Sequence, residues 1–299
     1  MRRSETMEPT REDISVASFD GSRLAATMLT RPGTAPRAPG GTPLVLLPGH
    51  MKPAATLEPL ARVLLAHEDG PAAALLVDYR GRGRSDPRKD AALYTPRAEA
   101  SDLVSLLDAV NWHHADVVGS ARGGLVAFCV TALRPALVQR LVLNDIGPEI
   151  DGVGLARLRL AASRRSEPAS WAEAGALLRR ESGERYPALG ETDYEALAHA
   201  TYADEKGKPR SRVHPSVFEH FASIDADERY PTLWPEFRAL RSRPVLLLRA
   251  EHSDALADRT VERMRAEHPD LSVETVTGQG HPPLLHLGET PERIARFLA

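Results

Sequence analysis

The chain has 299 residues and one cysteine, Cys129, a scarcity that excludes an internal disulfide framework and fits a reducing compartment. Cys129 lies in an apolar helical run, where a small buried packing residue is expected. No apolar run approaches the ~18 residues of a spanning helix. The charged opening MRRSETMEPTRED carries no signal-like stretch, so no membrane association and a cytoplasmic location are expected. Excess positive charge is also missing: a net charge of −3 and a pI near 6.4 argue against nucleic acid or an anionic membrane as partner. No Cys/His/carboxylate cluster has metal-ligand spacing, and no stretch reads G-x-G-x-x-G or a P-loop lysine, so neither metal nor cofactor is expected. Internal repeats and long low-complexity tracts are lacking too. The length then suits one large α/β domain or two small ones.

What is present is a rhythm of short apolar runs and helical patterns. Residues 42–49, 72–81, 115–120, 140–147, 243–251 and 272–278 read as strands apolar on both faces, as in a parallel sheet covered by helices. Between them, 56–67, 97–112, 125–133 and 255–268 read as helices, with 293–298 closing the chain. This alternation predicts βαβ units in a mostly parallel, doubly wound sheet of about eight strands. The opening segment 14–29 alternates apolar and polar residues around Asp20-Gly21 and predicts an antiparallel hairpin at the sheet edge. Residues 148–238 break the rhythm with helical segments and no strand-like run. They are expected to form a helical cap inserted in a core made of 1–147 and 239–299, over the strand ends where open α/β folds bind ligands.

The chemistry centres on VVGSARGG, residues 117–124, where a strand hands over to a helix through a tight glycine-flanked turn. In the register of G-x-S-x-G, Gly119 and Gly123 are the flanking glycines and the nucleophile position holds Ala121. Ser120 falls one residue early, so its side chain is expected to point away from the tip. Asp254, just after the strand at 243–251, could orient a histidine; it reads equally as the start of the next helix. His281 lies in a Gly/Pro-flanked loop after the last strand, as a catalytic imidazole would. Asp145 also follows a strand and is the second candidate for the acid. Asp254 is preferred because it follows the cap and stands nearer His281 in sequence.

On these motifs the chain resembles the α/β-hydrolase family, in its capped esterase and lactonase subgroup. LVLLPGHM resembles the oxyanion loop, LLVDYRGRGRSD the D-x-R-G-x-G-x-S loop, and LVLNDIGPEI, LWPEFRAL, LLLRAEHSD and GQGHPPLL later landmarks. The resemblance implies an α/β-hydrolase fold with a triad at positions 121, 254 and 281. It also implies an oxyanion hole from the backbone N–H groups of His50 and Arg122, and a small ester or lactone as substrate. Met51, beside the oxyanion loop, and the cap aromatics Tyr202, Phe218 and Trp234 are the candidate pocket residues; Phe221 joins the same group, with helix packing as the other use for these aromatics. Arg80, Arg82, Arg84 and Asp86 are expected to hold a surface loop together.

Ala121 departs from the pattern and puts turnover, not fold, in question. Three readings stand open: a hydrolase whose nucleophile serine is replaced and which still binds ligand, a native protein that captures a small apolar ligand, or chemistry run by His281 as a base without an enzyme nucleophile. Epoxide hydrolase and dehalogenase readings need a carboxylate at the elbow. The cap's apolar stripes can serve a pocket or bury a second copy in a homodimer.

Overall fold

The computed structural model describes residues 8–18, 20–35, 40–88, 90, 93–163, 167–223 and 232–299. The chain opens with β1 (Thr10–Ala17) and β2 (Arg23–Thr30), paired antiparallel. In their turn Gly21 takes φ +78° and the Asp20 carboxylate accepts the Ser22 N–H at 3.0 Å. Three strand–helix units follow: β3 (Leu44–Leu47) with α1 (Glu58–Ala66), β4 (Ala73–Asp78) with α2 (Pro96–Ala109), and β5 (Ala115–Ser120) with α3 (Arg122–Leu133). After β6 (Val138–Asn144) comes the insertion: α4 (Gly152–Ser163), α5 (Trp171–Ser182), α6 (Glu191–Thr201), β7 (Tyr202–Glu205), β8 (Lys208–Ser211), α7 (Pro215–Ser223) and α8 (Trp234–Arg238). The chain ends with β9 (Val245–His252), α9 (Asp258–Glu267), β10 (Leu271–Gly280) and α10 (Thr290–Leu298).

Eight strands make one sheet in the order β1-β2-β4-β3-β5-β6-β9-β10. The β1–β2 and β2–β4 pairings are antiparallel, and every pairing from β4 to β10 is parallel. The central strands are apolar throughout because both faces are covered. Val45, Leu47, Val117, Leu143 and Leu247 join a cluster with Leu103 of α2 and Phe128 of α3. Leu44, Leu46, Val118, Val142 and Leu246 face the other way, onto α1 and α10 through Leu64 and Ile294. The two-residue alternation of a strand thus sorts one run into two cores. No helix among the described residues is long and apolar enough to cross a membrane.

The insertion differs from its expected form in two ways. It contains a hairpin, β7–β8, whose turn places Lys206 at φ +55° and Gly207 at φ +81°. Positive φ at both central residues marks a primed hairpin turn, and the polar strands around it carry too little apolar alternation to announce themselves. Its last helix, α8, packs against α3 and sends Trp234 and Phe237 into the main core.

Candidate active site

The parallel strands bring the loops after β3, β5, β6 and β10 to one edge of the sheet. A cavity of about 300 Å³ lies there, lined by Gly49, Met51 and Lys52 after β3, by Ser120 at the end of β5, and by His281 after β10. The insertion supplies the other wall, with Leu177, Leu178 and Leu197 among its apolar lining.

At the turn from β5 to α3, Ala121 holds φ +47° and ψ −112°, a conformation that costs a non-glycine residue about 1–3 kcal/mol. Its N–H donates to the Asn144 carbonyl at 3.0 Å, and its carbonyl accepts the Gly124 N–H at 2.9 Å. The flanking glycines are required by close approach. A Cβ on Gly119 would sit 2.5 Å from the Gly124 nitrogen, and one on Gly123 2.2 Å from the Leu47 carbonyl oxygen. The second contact sets the start of α3 directly against the end of β3, where the loop bearing His50 begins. Ser120 is turned to its neighbour, Asn144, whose Nδ2 donates to the Ser120 Oγ at 2.9 Å; Ser120 nevertheless borders the cavity.

His281 meets a different carboxylate from the one expected. Its Nδ1 donates to Asp145 Oδ2 at 2.9 Å, and both side chains are buried. Asp145 is fixed by the Ala250 N–H on Oδ1 at 2.9 Å and the Ser253 hydroxyl on Oδ2 at 2.8 Å. Asp254 instead takes a bidentate pair from Arg157 of α4, so its charge is used to tie the insertion to the loop after β9. The reason is sheet adjacency. β6 lies beside β9, which lies beside β10, so the residue capping β6 faces the loop after β10 across the short Ser253 turn. Asp145 reaches that position at φ +53°, a backbone state that aspartate tolerates better than most residues. With Nδ1 held by a carboxylate, Nε2 is left as the basic nitrogen.

The loop carrying His281 is braced on several sides. The Tyr186 hydroxyl donates to the Pro282 carbonyl at 2.9 Å, Asn144 Nδ2 to the Pro283 carbonyl at 2.9 Å, and Arg185 to the His281 carbonyl at 3.3 Å. Asn144 therefore links the end of β5 to the histidine loop, a role invisible along the chain.

Arg80 and Arg82 are not surface residues; both are wholly buried. Arg82 donates to the His50 carbonyl at 2.8 Å and to Glu99 at 3.1 Å, and Arg122 donates to the other Glu99 oxygen at 2.6 Å. Buried Glu99 thus holds Arg122 directly and His50 through Arg82, linking the two segments whose backbone amides are the expected oxyanion donors. Burial, then the charges of Arg122 and Arg82, hold the His50 imidazole well below its usual pKa, so it is neutral at pH 7. Its ring lies 4.4 Å from that of Phe221.

Of the pocket candidates, Met51, Tyr202 and Phe218 line the cavity. Trp234 does not. It is buried edge-on to Phe237 at 6.0 Å between centroids, and its indole N–H donates to Glu149 at 3.3 Å. The apolar face of α8 is used for packing on α3. Burial in the same region pushes the Cys129 thiol up to about 11, as expected for a packing cysteine.

Comparison with known proteins agrees with this fold. Residues 44–297 match the model of the alpha/beta hydrolase family. The chain is 29% identical over 244 residues to the 3-hydroxybutyrate-oligomer hydrolase of Cupriavidus necator, covering 72% of this chain and 78% of that one. It is 26% identical over 208 residues to the 2-(acetamidomethylene)succinate hydrolase of Mesorhizobium japonicum, covering 69% and 71%. A solved alpha/beta hydrolase from Novosphingobium aromaticivorans superposes with a TM-score of 0.83 at 31% identity, covering 96% of this chain and 98% of that one. With its parallel sheet, its glycine-flanked elbow and a match spanning nearly all of both cores, the chain belongs to the alpha/beta hydrolase family.

Proposed function

We propose that the cavity is the acyl site of a small-ester or lactone hydrolase in which Ala121 stands at the nucleophile position, so that this chain binds such a ligand without turning it over. The observation that carries the reading is the Asp145–His281 pair, buried and braced by the Ala250 N–H and the Ser253 hydroxyl. A scaffold without a history of proton transfer has no need of a carboxylate-held imidazole facing a cavity. The strained elbow supports it too, because φ +47° at an alanine brings no benefit of its own.

With a serine at 121, His281 Nε2 would take the hydroxyl proton while Asp145 holds the tautomer and stabilises the imidazolium. The alkoxide would attack the carbonyl carbon, and the amides of His50 and Arg122 would receive the oxyanion. His281 would then protonate the leaving alcohol and activate water against the acyl-enzyme. Alanine removes the attacking atom alone, which by analogy with nucleophile knockouts lowers kcat by about 10⁶, or about 8 kcal/mol.

Ala121→Ser tests this on p-nitrophenyl esters and lactones, with a gain in kcat of about 10⁴–10⁶ expected over the unaltered chain. Within that variant, Asp145→Asn should lose about 10⁴, as the wrong tautomer is favoured, while Asp254→Asn should change rates only a few-fold. A folded Ala121→Ser protein silent on the whole panel overturns the reading and leaves ligand capture as the function.

A further inference from the structure

The cavity walls are mainly aliphatic, which makes their charged groups conspicuous. Three cations reach it: Lys52 from the loop after β3, Arg157 from α4, and Arg185 from the turn after α5. Arg157 is neutralised by its bidentate pair with Asp254. Arg185 spends its hydrogen bonds on two backbone carbonyls, those of His281 at 3.3 Å and Glu181 at 3.0 Å, and has no carboxylate in contact among the described residues. Among the described residues the Lys52 ammonium has neither a hydrogen bond nor an ion pair, although Glu181 also lines the cavity. A cation on an apolar wall with no anion in direct contact is poorly solvated, and burial pulls the Lys52 pKa below the usual lysine range, only partly offset by the charge of Glu181 nearby.

We propose that Lys52 and Arg185 form a carboxylate subsite in the cavity they share with His281, so that the ligand is a short acyl compound bearing a free carboxylate: a half-ester of a dicarboxylic acid or a hydroxyacid ester. The ester portion of this statement rests on the hydrolase reading above; the carboxylate portion rests on the cations alone. Geometry favours it in three respects. Arg185 donates to the carbonyl of His281 itself, which places the guanidinium beside the reacting end. Lys52 stands two residues from His50, so a carboxylate held there would aim its acyl chain along the oxyanion loop. The volume of about 300 Å³ is at the small end for ligand sites and suits a short chain with charge at one end. Glu181 is the local competitor: a ligand carboxylate must outbid it for Lys52, and its removal would leave the subsite more cationic.

Because the unaltered chain lacks the attacking hydroxyl, equilibrium binding can be read directly. Monomethyl succinate and dimethyl succinate are titrated calorimetrically into the full chain at low and high salt. The half-ester is expected to bind about 10- to 100-fold more tightly at low salt, the scale of one or two hydrogen bonds to a charged group. That ratio should shrink at high salt, collapse in Lys52→Met, be largely kept in Lys52→Arg, and grow in Glu181→Gln. Equal affinities, a preference for the diester, or no binding of either ligand to the folded chain overturns the proposal. So does a ratio indifferent to Lys52→Met. A carboxylate preference in this chain beside an Ala121→Ser variant inert on every ester would sink the hydrolase reading and leave the subsite standing. Restored esterase activity without the preference would do the reverse.

Discussion

Arg80 and Arg82 are fully buried in the loop after β4, and each is met by a carboxylate: Asp102 holds Arg80 at 2.8 Å, and Glu99 holds Arg82 at 3.1 Å. Arg88 shares Asp102 at 2.8 Å, and Arg122 shares Glu99 at 2.6 Å. In the cavity wall, Lys52 and Arg185 carry the same sign of charge with no carboxylate in contact. Both regions place cations in poorly solvating surroundings, and they differ in who supplies the anion. In the loop the chain supplies it, and the charges hold the fold: that loop also binds the insertion, with Gly83 N–H donating to the Arg212 carbonyl at 2.7 Å and His214 N–H to that of Gly81 at 2.8 Å. In the cavity the only carboxylate among the described lining residues is that of Glu181, which touches neither cation side chain, so a contacting anion would have to come from a ligand. A charge with no anion in contact is a cost to stability that binding of an anionic ligand would offset.

The contrast breaks most severely at Glu99. Glu99→Ala strands two buried guanidinium groups and should lower unfolding free energy by about 3–5 kcal/mol, measured by urea denaturation. In an Ala121→Ser background it should also depress kcat more than KM, since both oxyanion segments are tied through this carboxylate. A loss under about 1 kcal/mol would mean that the bridge is incidental. Lys52→Met is the matched opposite. Replacing an unpaired cation with an apolar chain of similar length should leave stability unchanged or raise it by up to about 1 kcal/mol. A clear loss of stability would move Lys52 into the class of charges that hold the fold.

The sheet was legible in the sequence because each central strand is a continuous apolar run, and the elbow because glycines are forced there by contacts of 2.5 Å and less. His281 was legible from its Gly/Pro surroundings. The acid was not. Asp145 and Asp254 each follow a buried strand, and only the lateral order β6-β9-β10 decides which of them faces the histidine; closeness along the chain is no guide to neighbours across a sheet. Trp234 misled for a related reason: an aromatic in an insertion has the same sequence signature whether its helix faces the cavity or the core. The Arg-rich loop reads as polar surface by composition, whereas partners 17 and 22 residues away, Glu99 for Arg82 and Asp102 for Arg80, allow it inside. Its legibility was limited because pairing, not polarity, determines burial of a charge.

Asp20 gives the finest test, since it sits at the rim of the paired region. Its carboxylate holds Arg80 at 2.6 Å and is one-third exposed. The Arg80 hydrogen bond, with help from the Ser22 amide and hydroxyl, lowers its pKa from the usual aspartate value of 3.8 to about 2. A carboxyl depressed by folding contributes stability above its unfolded pKa and loses that contribution as pH falls through the folded value. Asp20→Asn should therefore cost roughly a few tenths of a kcal/mol to 1 kcal/mol near neutral pH, the range for a partly screened pair. The deficit relative to the unaltered chain should close as pH drops from about 4 to about 2, where Asp20 itself becomes neutral. Urea midpoints of the two proteins across that window separate charge from geometry. Asparagine can still accept the Ser22 N–H, so the turn survives the substitution and only the ion pair is removed. A deficit that stays constant down to pH 2 would assign the effect to the shape of the β1–β2 turn, and the Asp20 charge would then contribute nothing to holding Arg80.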